Sequence, residues 1–149
     1  MIVPFMNFHG QCEAAVLYYQ SIFKFEDPFF LKFNQVRNLA FTIPEDYGNK
    51  VMFTEFMIAD QKIFACDVYP GMPSHAGQSI SLNVIHSSLE DIQTWFDALS
   101  KEGVVGMPIQ ATHGHRNTVH ARINMASFGS LVGTIKKALW PSRDVRREF

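Results

Sequence analysis

The chain has 149 residues, 47% of them apolar, and 13 basic side chains against 14 acidic ones for a formal charge of −1. That apolar share can bury a substantial core as one domain or as two small halves sharing a core. The balanced charge leaves no global field favouring nucleic acid or an anionic membrane.

In chain order, residues 2–8 are a short apolar run suited to a buried strand, and Pro4 removes one ladder donor and favours an edge. Cys12, Ala15, Val16, Tyr19, Ile22 and Phe23 then recur at helical spacing, with Gly10 as the expected N-cap and Glu13 complementing the helix N-terminus. Residues 29–33 read as a strand. Residues 34–49 form a long connection broken by Pro44 and Gly48, with a short strand expected around 39–43. Residues 50–58 and 61–68, joined at Ala59-Asp60, have the pattern of a hairpin. The stretch 69–78, with Pro70, Gly71, Pro73 and Gly77, reads as a crossing, and 79–84 alternates polar and apolar residues as a half-buried strand does. A second helix follows, where Ser87 and Glu90 have capping-box spacing and Leu89, Ile92, Trp95, Phe96 and Leu99 form the apolar stripe. Strands are expected at 104–109, 119–125 and 130–137. The late Lys136, Lys137, Arg143, Arg146 and Arg147 form a basic end, read as solvated.

The two helical segments repeat each other. His9, Glu13 and Lys24 meet His86, Glu90 and Lys101 at a constant offset of 77 residues, and the apolar stripes coincide. The hairpin echoes at an offset of 68, where Val51 meets Val119 and Met57 meets Met125. Each half is therefore strand, helix, then three strands, and a duplicated unit points to a pseudo-symmetric α+β fold with a cavity between its halves.

The segments Phe8-His-Gly-Gln-Cys-Glu-Ala-Ala with Tyr18, Tyr19 and Phe23, then Gly48-Asn-Lys-Val-Met-Phe-Thr-Glu-Phe, Asp67-Val-Tyr-Pro-Gly and Phe128-Gly129 cover most of the chain in order. This set resembles the vicinal oxygen chelate superfamily, within it the PhnB-like branch related to glyoxalase and bleomycin-resistance proteins. The resemblance implies a single domain over 1–149, with module 1 at about 1–71, module 2 at about 78–140 and a basic tail at 141–149. It also implies two tandem βαβββ modules forming a curved open mixed sheet, and a homodimer. It further implies a divalent metal held by ligands from four strands, two in each module. Here the sequence departs from the family. Residues 2–8 hold no His, Asp or Glu, the matching strand offers only Ser79, Ser81 and Asn83, Gly133 stands about where a carboxylate is expected, and only Glu55 survives. A catalytic ion needs about three protein ligands, so neither a metal nor another cofactor is expected.

Glu55 shares a strand face with Phe53 and Met57, which points it into an apolar cavity where a carboxylate serves as general base or ligand anchor. His113, His115 and His120 form the richest imidazole cluster, but no adjacent Cys, Asp or Glu completes a ligand set, and a polar surface loop is the simpler account. The hairpin match places Val119, Ala121 and Ile123 on Glu55's face. It leaves His120, Arg122 and Asn124 opposite the core-like Met52, Thr54 and Phe56, so either the register slips or that face meets solvent or a partner. His9 and His86 sit at strand-to-helix junctions, where a hydrogen bond to the helix start explains them. Cys12 and Cys66, the only cysteines, lie in apolar patterns without an adjacent base and read as reduced, unreactive thiols of a cytoplasmic protein. No window approaches a membrane span or a signal peptide.

These residues point to a metal-free binder of a small organic ligand, with Phe53, Glu55, Met57, Ser79 and Ser81 lining the cup. The alternative is a glyoxalase- or dioxygenase-like enzyme, using Glu55 with histidines of 113–120 as a rearranged metal site, or Glu55 alone as catalytic base. PhnB-like sequences sometimes carry the label demethylubiquinone methyltransferase, but the chain has no Gly-rich strand-to-helix turn of the nucleotide-cofactor kind.

Overall fold

A computed structural model describes residues 1–37, 42–74, 82–86, 88–111, 119–124 and 132–137. The first half runs β1 (Phe5–Phe8), α1 (Cys12–Phe23), β2 (Phe30–Lys32), β3 (Val51–Ile58) and β4 (Gln61–Asp67). The second runs β5 (Leu82–His86), α2 (Leu89–Ser100), β6 (Val104–Ala111), β7 (Val119–Asn124) and β8 (Val132–Lys137). The repeated order strand, helix, three strands is the one the sequence predicts. Each half builds an open four-stranded mixed sheet, ordered β1-β4-β3-β2 and β5-β8-β7-β6, in which only β1–β4 and β5–β8 run parallel. Pro4 precedes β1 at a sheet edge, where its missing N–H costs no ladder bond, and its carbonyl accepts from Phe64 N–H at 2.9 Å.

The helical spacing of the apolar residues decides what each helix buries. Cys12, Ala15, Val16, Tyr19 and Ile22 of α1 are buried on β3 and β4, while Ile92, Phe96 and Leu99 of α2 join the same core cluster. The helices also meet each other, through Tyr18 Oη donating to Ala98 O at 2.8 Å and the Phe23 and Trp95 rings 5.3 Å apart.

The two helix starts are satisfied in different ways. Ser88 caps α2 directly, its Oγ accepting from Asp91 N–H at 3.2 Å. Gly10 is not the cap of α1. That position falls to Gln11, whose side chain makes no cap bond, while Gly10 turns the chain at φ +84° and its carbonyl accepts from Lys50 Nζ at 2.8 Å. The cap of α1 comes from 55 residues away: the buried Asp67 accepts Cys12 N–H on Oδ1 and Val51 N–H on Oδ2, each at 2.9 Å. One carboxylate thereby fixes the end of β4, the start of α1 and the start of β3. Glu13, expected to complement the helix dipole, pairs with Lys32.

The hairpin turns as predicted at Ala59 and Asp60, both at positive φ (47° and 64°), the geometry that two-residue hairpins need to match strand twist. Beyond the register shift in its pairing with β2, β3 alternates strictly. Thr54, Phe56 and Ile58 are buried toward α1, and Glu55 and Met57 are exposed on the opposite face. In the second half, Leu82 and Val84 pack against the core, and register carries their rows through Gly133 and Ile135 to Ile123 and Ala121. This corrects the expectation that Ala121 and Ile123 share Glu55's face. His120, Arg122 and Asn124 fall on the face away from the helix, so by face Glu55 corresponds to Arg122. The reason is the period of two, by which a one-residue slip exchanges the faces; the apolar row is the one that goes to the helix side.

The short strand expected around 39–43 lies largely outside the described residues, as do Ser79, Ser81, His113, His115 and the basic tail past Lys137.

Replacing Asp67 by Ala strands two buried backbone donors and is expected to cost about 3 kcal/mol or more in urea unfolding, with Asp67→Asn costing less. Ser88→Ala, which removes one part-buried cap, is expected to cost about 1 kcal/mol.

Candidate functional site

The face of the first sheet turned away from α1 carries Phe53, Glu55 and Met57 of the residues singled out from the sequence. One row of the ladder runs Glu55, Phe64, Phe5 across β3, β4 and β1. Phe53 lies 5.2 Å from Phe64 and 6.5 Å from Phe5, and Phe5 lies 6.3 Å from Phe64, so three rings make one aromatic cluster. Phe5 is 51% exposed and Met57 42%, so this apolar face is open. Beside it, Cys66 Sγ donates to Asn7 Oδ1 at 3.3 Å.

Phe53, Glu55 and Met57 thus share one face, as their alternation requires. The environment of Glu55 differs from the enclosed apolar setting expected for it. Its side chain is half-exposed, and Lys62 Nζ stands 3.3 Å from both carboxylate oxygens. Such an exposed pair adds little stability, but it fixes where the carboxylate points.

A divalent ion of the kind the resemblance implies does not fit these residues. Glu55 is already held by an ammonium, phenyl rings occupy the neighbouring register positions, and among the described residues no group of three His, Cys, Asp or Glu converges. The two thiols are poor nucleophiles. Burial, with Asp67 nearby, pushes the Cys12 thiol far up, and the same two causes in the same order raise Cys66 to about 11. His9 is exposed at the first strand-to-helix junction. His86 serves the second helix start, its Nδ1 accepting from Ser88 N–H at 3.3 Å and lying 3.4 Å from Asp91 Oδ2.

A groove of about 870 Å³ opens beside this face and was not foreseen from the sequence. It runs between the 24–29 loop, the β3–β4 turn and the ring pair of His86 and Trp95. The signal was present but read differently: Phe23 and Trp95 belong to helical apolar stripes, and only the packing of α1 beside α2 turns them into a wall.

Residues 1–122 match the family described as 3-demethylubiquinone-9 3-methyltransferase. The chain belongs to that family. Within the curated relatives of this 3-demethylubiquinone-9 3-methyltransferase family member, Protein YjdN of Escherichia coli K12 is 26% identical, over 73% of this chain and 78% of that protein. A Pseudomonas aeruginosa protein of known crystal structure is similar with a TM-score of 0.75 at 22% identity, over 92% of this chain and 96% of that one. The PhnB protein of Bacillus cereus gives 0.63 at 20% identity, over 92% and 98%. A glyoxylase/bleomycin resistance protein/dioxygenase domain from Frankia gives 0.59 at 10% identity, over 93% and 90%. At these identities the solved structures establish the fold alone: it is the glyoxalase/bleomycin-resistance fold.

The raised Cys66 makes a pH prediction. Folding favours its protonated thiol, so its contribution is fully present below the ordinary value of 9.0 and is lost as pH rises through about 11. Urea unfolding of the wild type should therefore weaken across that window more steeply than that of Cys66→Ala, and equal slopes would remove Cys66 as the cause.

Proposed function

We propose that this protein binds a small organic ligand without a metal, in a cup whose floor is the open face of the first sheet and whose other wall is a second copy of the chain. The supporting observation is the half-buried cluster of Phe5, Phe53 and Phe64, open to solvent at Phe5 and at the adjoining Met57, beside the acidic anchor Glu55. A contiguous aromatic patch of this kind costs free energy in water and is characteristic of surfaces that meet a ligand or a partner. Phe53, Glu55 and Met57 would hold the apolar body and one polar group of the ligand, with Ser79 and Ser81 contributing hydroxyls from the second half. The description of the Frankia domain, which names bleomycin resistance, is consistent with a fold that engages small organic compounds. The ion pair with Lys62 favours Glu55 as an anchor over Glu55 as a proton acceptor, because a base must exchange its cation for a proton during turnover. A cytoplasmic location accords with two unpaired thiols.

Two measurements test this reading. The purified protein should sediment as a dimer at micromolar concentration, and Phe53→Asp should shift it to monomer. In a thermal screen, small organic compounds should raise Tm in proportion to log concentration, with chelator treatment making no difference. Stoichiometric metal whose removal abolishes ligand stabilisation would overturn the proposal, as would a monomer unchanged by Phe53→Asp.

A further inference from the structure

The groove beside Glu55 has walls of one character and a rim of another. Phe23 and His86 contact Trp95 at 5.3 and 5.0 Å, and Phe25, which also lines the groove, stacks on Phe56 at 5.2 Å with an interplanar angle of 26°. The loop that carries Phe25 is tied back to α1, since Gln20 Nε2 donates to Asp27 Oδ1 at 2.7 Å and to Phe25 O at 3.4 Å. The aromatic walls are therefore held in place without a ligand. The rim carries the carboxylates of Glu26, Asp27, Glu55 and Asp60 against the ammoniums of Lys24 and Lys62. Lys62 spans both oxygens of Glu55, so the remaining charge facing the groove is predominantly negative.

Aromatic faces present negative potential to a cation, and carboxylates at the mouth add to it. A neutral apolar molecule would gain only the ring contacts, and an anion would meet repulsion. The volume, about 870 Å³, is that of a small-molecule pocket and leaves room for an organic body around one charged head. We infer that this groove binds an organic cation, a quaternary or protonated amine seated between Trp95 and Phe25 with its charge toward Glu26 and Asp27. This rests on the binding reading above for Glu55 and Met57 as ligand-facing groups, and adds the charge of the ligand and a neighbouring groove formed within one chain.

The test is isothermal titration of the full chain with three probes of one shape class: benzyltrimethylammonium, benzyl alcohol and benzoate. The cation is expected to bind about fivefold to thirtyfold more tightly than the alcohol, with benzoate weakest. Added salt should weaken the cation alone. In the double variant Glu26→Gln, Asp27→Asn, both exposed positions and the second keeping an oxygen that accepts from Gln20, the preference for the cation over the alcohol should shrink several-fold. Trp95→Phe should weaken cation and alcohol together, with circular dichroism confirming the fold. Equal affinity for the cation and the alcohol, a preference for benzoate, or cation binding indifferent to salt and to the double variant overturns the inference. Equal affinity would leave the binding reading standing, whereas failure of every organic probe to bind or stabilise the protein counts against both.

Discussion

A single buried carboxylate organises the first half of this molecule. Asp67 ends β4 inside the protein, and its two oxygens take the first N–H of α1 and the first N–H of β3. Burying a carboxylate is costly unless strong donors meet it, and backbone N–H groups at a helix start, where the helix dipole is positive, are such donors. The arrangement locks three chain segments to one point, and β3 is the strand that carries Phe53, Glu55 and Met57. The same charge raises the thiols of Cys12 and Cys66 beyond what burial alone does, so the residue that anchors α1 and β3 also keeps its neighbours chemically quiet.

The second half solves the corresponding problem locally, with Ser88 on Asp91 N–H. Two copies of one topology have thus kept their element order while replacing the contact that starts the helix. The difference extends to the sheet faces. The first sheet turns rings and one paired carboxylate away from its helix, whereas register assigns His120, Arg122 and Asn124 to the corresponding face of the second.

Where the helices meet, the duplication creates something neither half has alone. Phe23 ends α1 and Trp95 lies within α2, and their contact closes one side of the groove whose other side is the 24–29 loop. That loop begins at Lys24, whose left-handed backbone (φ 56°) ends the helix and sends the chain back toward β3. The groove therefore depends on helix packing, on a helix C-cap and on a glutamine tie, three features that have no shared sequence motif.

The local periodicities were legible in the chain alone. Apolar spacing of about 3.6 residues marked both helices, alternation marked the strands, the Ala59-Asp60 turn was placed correctly, and the repeat at an offset of 77 residues announced two βαβββ units. These signals survive because they arise from neighbours along the chain. The helix cap by Asp67, the face of β7, the ion pair of Glu55 with Lys62 and the wall formed by Phe23 and Trp95 were decided only by tertiary structure. Each rests on a partner brought close by folding or on a strand register that shifts by a single residue, and no pattern read along one segment encodes which distant group will complete it.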